Sequence, residues 1–124
     1  MIGSALVKSL LTDGHQITKI TRPGGSVGAG SIIWEPTRGN LETDALEGFD
    51  AVVNLAGENI GSGRWTEEKK RRIRDSRVKG TALLASRLKN LKNPPRTAVF
   101  ASAFGYYGDR GEEVLTEESG PGEG

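Results

Sequence analysis

The run Asp50-Ala51-Val52-Val53-Asn54-Leu55-Ala56-Gly57 is almost continuously apolar and closes on a glycine. A run of this length is the pattern of a strand buried on both faces of a parallel sheet. The loop from Glu58 to Arg64 follows it. Thr66 then precedes Glu67 and Glu68, an N-cap residue followed by acids placed where the helix dipole favours them. The helix should run to about Lys89, since Asn93-Pro94-Pro95 forbids its continuation. On it, Ile73, Arg77, Thr81, Leu84 and Leu88 share one face, and Lys69, Lys70, Arg71, Arg74 and Lys79 crowd the rest. Thr97 to Ala101 reads as a second buried strand.

The same logic organises the first half of the chain. Leu6, Leu10 and Leu11 recur at helical spacing between Gly3 and Asp13, and Gly14 stands where a C-terminal glycine ends a helix. Gln16 to Thr21 has the β-branched composition of a strand, ended by Arg22-Pro23-Gly24-Gly25 and a glycine-rich loop down to Gly30. A short strand is expected at Ser31 to Trp34, stopped by Pro36, and a short helix between Leu41 and Leu46. The stretch 110–124 is acidic, glycine-rich and aperiodic, so it is expected to be loop or disorder. There are no internal repeats. This order of elements is that of a single α/β domain with a doubly wound parallel sheet that lacks its first strand.

Composition narrows the chemistry. Seventeen basic and sixteen acidic residues leave a net charge of +1, which gives no reason to expect a nucleic-acid or membrane partner. With no cysteine, disulfides, zinc-thiolate sites and thiol nucleophiles are excluded. The one histidine, His15, sits in a turn-like Asp13-Gly14-His15 and reads as a solvated loop residue, so no metal site is expected. No apolar run approaches the ~20 residues that span a bilayer, and no secretory signal is recognisable. A soluble cytoplasmic protein is expected.

Two stretches go further: Asn54-Leu55-Ala56-Gly57-Glu58-Asn59 after the first buried strand, and Ser102-Ala103-Phe104-Gly105-Tyr106-Tyr107-Gly108-Asp109 after the second. Together they resemble the extended short-chain dehydrogenase/reductase superfamily, in its NAD-dependent epimerase/dehydratase-like branch. The resemblance covers essentially the whole chain and implies an incomplete Rossmann fold over 1–124. In that family a first strand leads into a glycine-rich turn, so Met1-Ile2-Gly3 resembles its end, with Gly3 as the surviving third glycine. The family's tyrosine-lysine pair would follow Gly124. The resemblance thus implies a piece truncated at both ends and catalytically inactive by itself. The missing first strand is central in such a sheet, so Gln16–Thr21 should lack its bridge to Asp50–Leu55. Two sheet edges should lie open, with poor stability or aggregation as the consequence.

The resemblance also distributes roles. Gly3 would open a helix whose N-terminus receives a pyrophosphate. Thr21 and Arg22 end the following strand, where an acid selects NAD and an arginine accommodates the 2′-phosphate of NADP, so NADP is the expected cofactor. The bland alternative is that Arg22 is an ordinary loop cation. Leu55, Ala56 and Gly57 would let a backbone approach the adenosine side, or merely begin a turn. Arg77 would point into the cofactor cleft and pair with a phosphate or carboxylate. Alternatively it belongs to the basic surface with Arg71, Arg72 and Arg74. That surface has no interleaved aromatics and is balanced by Glu67, Glu68 and Asp75, which weakens a nucleic-acid role.

Ser102 would hydrogen-bond the substrate oxygen during hydride transfer, or simply cap a strand end. Tyr107 would line the substrate pocket, or pack under a loop. Tyr106 and Arg110 imitate a tyrosine-lysine pair only superficially, because Gly105 and Gly108 argue for a loop. The implied parent is an NADP-binding oxidoreductase or epimerase acting on a small carbonyl or sugar-like substrate. The competing class is a non-catalytic dinucleotide sensor.

Overall fold

The computed structural model describes residues 2–24 and 31–123. Met1, residues 25–30 of the expected glycine-rich loop, and Gly124 lie outside the described residues. Helix α1 covers Ile2–Thr12 and ends as its sequence demands. The His15 N–H bonds the Leu10 carbonyl and the Gly14 N–H bonds that of Leu11, with Gly14 at φ 83°. This pair of bonds closes a helix on a left-handed residue that glycine adopts without penalty. Helix α2, Glu67–Lys89, begins on Thr66, whose hydroxyl accepts the Lys69 N–H at 3.2 Å. The N-cap and the acids in the first turn are thus as expected.

The strands form two separate sheets. β1 (Ile20–Thr21) pairs in parallel with β2 (Ile32–Glu35), and β2 pairs antiparallel with β3 (Asn40–Leu41). β4 (Ala51–Asn54) pairs in parallel with β5 (Thr97–Phe100), with Ala51 opposite Thr97 and Asn54 opposite Phe100. Among the described residues no strand joins β1 to β4, so the expected break between them is present. What unites the sheets is α2. The core gathers Ile32, Trp34 and Leu41 from the first sheet, Val52 from the second, Leu84 from α2, and Leu46 and Leu91 from the connections. The helix packs on β2 at Gly80, where a Cβ would sit in ordinary contact, 3.4 Å from Trp34 Cζ2. Arg87 on α2 donates to the Gly39 carbonyl at 3.1 Å. Glu47 accepts the backbone N–H groups of Lys92 and Asn93, each at 2.8 Å, and those bonds hold its carboxyl below its ordinary range.

Several expectations need correction. The strand expected at 16–21 shrinks to Ile20–Thr21, because β1 has a ladder partner on one side only. The helix expected at 41–46 is instead the strand β3 plus a single 3-10 turn over Asp44–Leu46. Leu41 is drawn into the hairpin by pairing with Trp34, a tertiary contact that outweighs local propensity. β4 is not buried on both faces: Val52 and Asn54 are buried while Ala51 and Val53 are exposed. β5 is mostly exposed, with only Phe100 half-buried. On α2 the buried positions are Lys69, Gly80 and Leu84, while Arg77 and Thr81 are exposed. The expected face holds at Ile73, Leu84 and Leu88, which are buried or half-buried, and fails at Arg77 and Thr81; Lys69 and Gly80 are buried without any apolar signal in the sequence. No helix or strand falls within the described residues 110–123, and the Gly122 N–H bonds the Tyr106 carbonyl at 3.0 Å. Among the described residues no helix is long and apolar enough to cross a membrane.

Candidate functional site

A pocket of about 240 Å³ opens where β1 and β4 end. β1 and its exit supply Ile20, Thr21 and Arg22, and Trp34 and Pro36 come from β2 and the turn after it. Leu55, Ala56 and Gly57 follow β4, and Ser76 projects from α2. Gly3, near the start of α1, stands beside this wall, since a Cβ on it would lie 3.8 Å from Leu55 Cδ1. The structure therefore brings together Gly3, Thr21, Arg22, Leu55, Ala56 and Gly57, which the sequence singles out separately.

The turn after β4 is clasped by α2. Asn54 is buried and its side-chain carbonyl accepts the Ala56 N–H at 3.1 Å. Ser76 accepts the Glu58 N–H at 2.9 Å and donates its own hydroxyl to the Ile73 carbonyl at 2.9 Å. The guanidinium of Arg77 lies flat against Gly57, so that a Cβ there would meet its Cζ at 3.0 Å. Arg77 donates to the Ile73 carbonyl at 3.1 Å and, at 3.4 Å, to that of Glu58. Its observed partners are thus backbone carbonyls, and it stands behind the pocket wall rather than lining it.

Glu58 and Lys69 fasten the next segment. Lys69 Nζ donates to Glu58 Oε1 at 2.9 Å and to Ser62 Oγ at 3.2 Å, with the lysine side chain only 6% exposed. The Lys69 hydrogen bond and charge hold the Glu58 carboxyl below its ordinary range. Partial burial opposes this, and Arg72 and Arg22 assist more weakly. The sequence puts Lys69 among the basic residues outside the apolar face of the helix, and its partner lies in a loop eleven residues away.

The pocket's chemistry follows from its walls. Small residues expose backbone at Ala56 and Gly57, a cation stands at Arg22, and two buried polar atoms, Thr21 Oγ1 and Trp34 Nε1, have no hydrogen-bond partner. Buried polar groups are nearly always paired, so unpartnered ones in a pocket wall suit a ligand that supplies the missing partners. At about 240 Å³ the space is smaller than the ~300–1,000 Å³ of sites that hold a whole drug-sized ligand. It fits one end of an extended molecule, such as the nucleoside end of a dinucleotide. Trp34, Pro36, Ile20 and Ser76 were not foreseen as pocket residues.

Ser102 and Tyr107 lie one strand away. The Ala101 N–H bonds the Asn54 carbonyl at 3.0 Å, so the chains leaving β4 and β5 emerge side by side. Ser102 is exposed, and half-buried Tyr107 meets the Tyr106 ring edge-to-face at 5.2 Å. Neither lines the pocket. Phe104–Tyr107 is a 3-10 turn, and Arg110 is engaged by Glu113 at 3.2 Å and by the Gly120 carbonyl. Tyr106 and Arg110 therefore do not form a helical pair.

Comparison with known proteins agrees with this geometry. The family model for the NAD dependent epimerase/dehydratase family matches residues 1–123. The epimerase family protein ML0860 of Mycobacterium leprae is 38% identical over this whole chain, which covers 39% of that protein. The human epimerase family protein SDR39U1 is 36% identical over 86% of the chain and 34% of its own length. A crystal structure of human SDR39U1 (isoform2) with NADPH superposes with a TM-score of 0.70 at 33% identity. It covers 86% of this chain, which matches 35% of that one. The chain thus spans about two fifths or less of the length of the relatives it matches. With an incomplete α/β Rossmann sheet, and a pocket where the ends of β1 and β4 face each other, the chain belongs to the NAD dependent epimerase/dehydratase family.

Proposed function

We propose that this chain is the NADP-binding part of an oxidoreductase or epimerase that moves hydride to or from a small carbonyl or sugar-like substrate. The observation that carries this reading is Arg22 beside Thr21 at the rim of the pocket between the ends of β1 and β4. A strand end of this kind meets the ribose of a dinucleotide, and an arginine there pairs with a 2′-phosphate where an acid would bind ribose hydroxyls. The NADPH in the crystal structure of human SDR39U1 supports the same choice.

Each residue then has a physical task. The first N–H groups of α1, close to Gly3, face the pyrophosphate with the favourable end of the helix dipole. Ala56 and Gly57 admit the adenosine side without side chains in the way. Arg77 holds the Gly57 turn through the Ile73 and Glu58 carbonyls. Ser102 orients the substrate oxygen by a hydrogen bond, and Tyr107 bounds the substrate's side of the site. When bound, the nicotinamide gives or accepts the hydride.

Fluorescence titration with NADPH and NADH tests this. The wild-type chain should prefer NADPH, and Arg22→Ala should weaken NADPH binding by about 10- to 100-fold, the worth of a hydrogen bond to a charged group. NADH binding should barely change. Equal affinity of the wild-type chain for both dinucleotides would refute the NADP assignment, and binding of neither would refute the site.

A further inference from the structure

Among the described residues, the buried side-chain polar atoms without a partner are Thr21 Oγ1, Trp34 Nε1 and Arg87 Nε. Arg87 lines a separate cavity and spends another nitrogen on the Gly39 carbonyl. The other two belong to side chains of the same pocket. Trp34 is the more telling, because an indole N–H can only donate and the residue is just 7% exposed.

Its ring is also fixed. The Cζ2 and Cη2 edge rests on α2, at 3.4 and 3.5 Å from where a Gly80 Cβ would be, and Trp34 is paired across the sheet with Leu41. The N–H therefore has little freedom to seek a partner elsewhere. An acceptor must come to it, and the pocket is the open space that Trp34 borders.

We propose that the Trp34 indole N–H hydrogen-bonds the uncharged nucleoside portion of the dinucleotide, at a ring nitrogen or ribose oxygen. The proposal rests on the assignment of this pocket to the adenosine end. Electrostatics assigns the acceptor: Arg22 is exposed at the rim and suits a phosphate that stays partly hydrated. A phosphate carried to the depth of Trp34 would lose its water, while the cation of the pocket lining, Arg22, is exposed, so that burial is strongly unfavourable. Arg22 thus distinguishes 2′-phosphorylated from plain nucleotides, and Trp34 recognises what both share.

The test uses adenosine 2′,5′-bisphosphate and adenosine 5′-monophosphate as probes. The chain has two tryptophans. Trp65 is 59% exposed and donates its Nε1 to the Ile60 carbonyl, so Trp65→Phe leaves Trp34 as sole reporter. Both nucleotides should quench Trp34 emission saturably, the monophosphate at higher concentration. In Trp34→Phe, calorimetry should show both dissociation constants raised by the same factor, roughly 3- to 10-fold, as expected for one neutral hydrogen bond. Arg22→Ala should weaken only the bisphosphate. Unchanged affinities in Trp34→Phe would overturn the proposal, and so would a loss confined to the bisphosphate. Should that variant not fold, calorimetric binding to the Trp65→Phe protein without quenching of Trp34 would overturn it as well. If the wild-type chain binds neither probe, the adenosine assignment of the pocket fails first and Trp34 with it.

Discussion

Val52 and Val53 are neighbours on β4, yet Val52 is 8% exposed and Val53 42%. Val52 turns towards α2, where Leu84, Leu46, Leu91 and Trp34 pack into one cluster. Val53 turns the other way, as does Val99 on β5, and both remain exposed. The helices repeat the contrast. α2 buries Lys69, Gly80 and Leu84, whereas α1 buries nothing and leaves Ile2 and Leu11 exposed. One side of the chain therefore carries its cohesion. The other contributes mainly position, by setting the start of α1 beside Leu55 and the pocket.

This asymmetry predicts that substitutions sort by side. Leu84→Ala removes a side chain from the centre of the packed cluster and should cost about 2–5 kcal/mol in a denaturant melt. A loss below about 1 kcal/mol would mean that α2 is not the organising layer. A smaller effect should come from Glu58, whose carboxyl Lys69 holds below its ordinary range. A carboxyl lowered in the folded state stabilises above its unfolded value, near 4.3, and that contribution disappears as pH falls through the folded value. Wild type should consequently melt higher than Glu58→Gln at neutral pH, with the two curves converging on acidification. A gap that does not close would show that the pair contributes nothing through ionisation. The smallest change belongs to the far side: Leu11→Ala should move stability by less than about 0.5 kcal/mol. A loss comparable to that of Leu84→Ala would erase the distinction between the two sides.

What could be read from the sequence divides along a related line. The limits of α1 and α2 are local matters. Gly14, the Thr66-Glu67-Glu68 start and the Asn93-Pro94-Pro95 stop each act within a few residues, and the helices end where these residues say. β1 and β3 depend on distant partners, so the reach of 16–21 was overestimated and Leu41 was assigned to the wrong element. The pocket shows the same division. Thr21, Arg22, Leu55, Ala56 and Gly57 stand at strand ends, where ligand contacts are anticipated in open α/β sheets. Trp34 and Ser76 reach the pocket through the packing of α2 on β2, where Gly80 faces the Trp34 ring, and nothing in their immediate neighbours announces that approach. Lys69 looked like one solvated cation among many until Glu58 and Ser62 closed over it.

The parallel ladder of β4 and β5 acts as a ruler. Four residue pairs, from Ala51 with Thr97 to Asn54 with Phe100, fix how far the two chains have advanced when they leave the sheet. Adjacent strands lie about 4.8 Å apart whatever side chains they carry. The lateral step from the loop that begins at Leu55 to the one that begins at Ala101 is therefore dimensioned by peptide hydrogen bonds. Replacing loop residues can retune how firmly a bound molecule is gripped at either station, but the gauge between the stations belongs to the backbone.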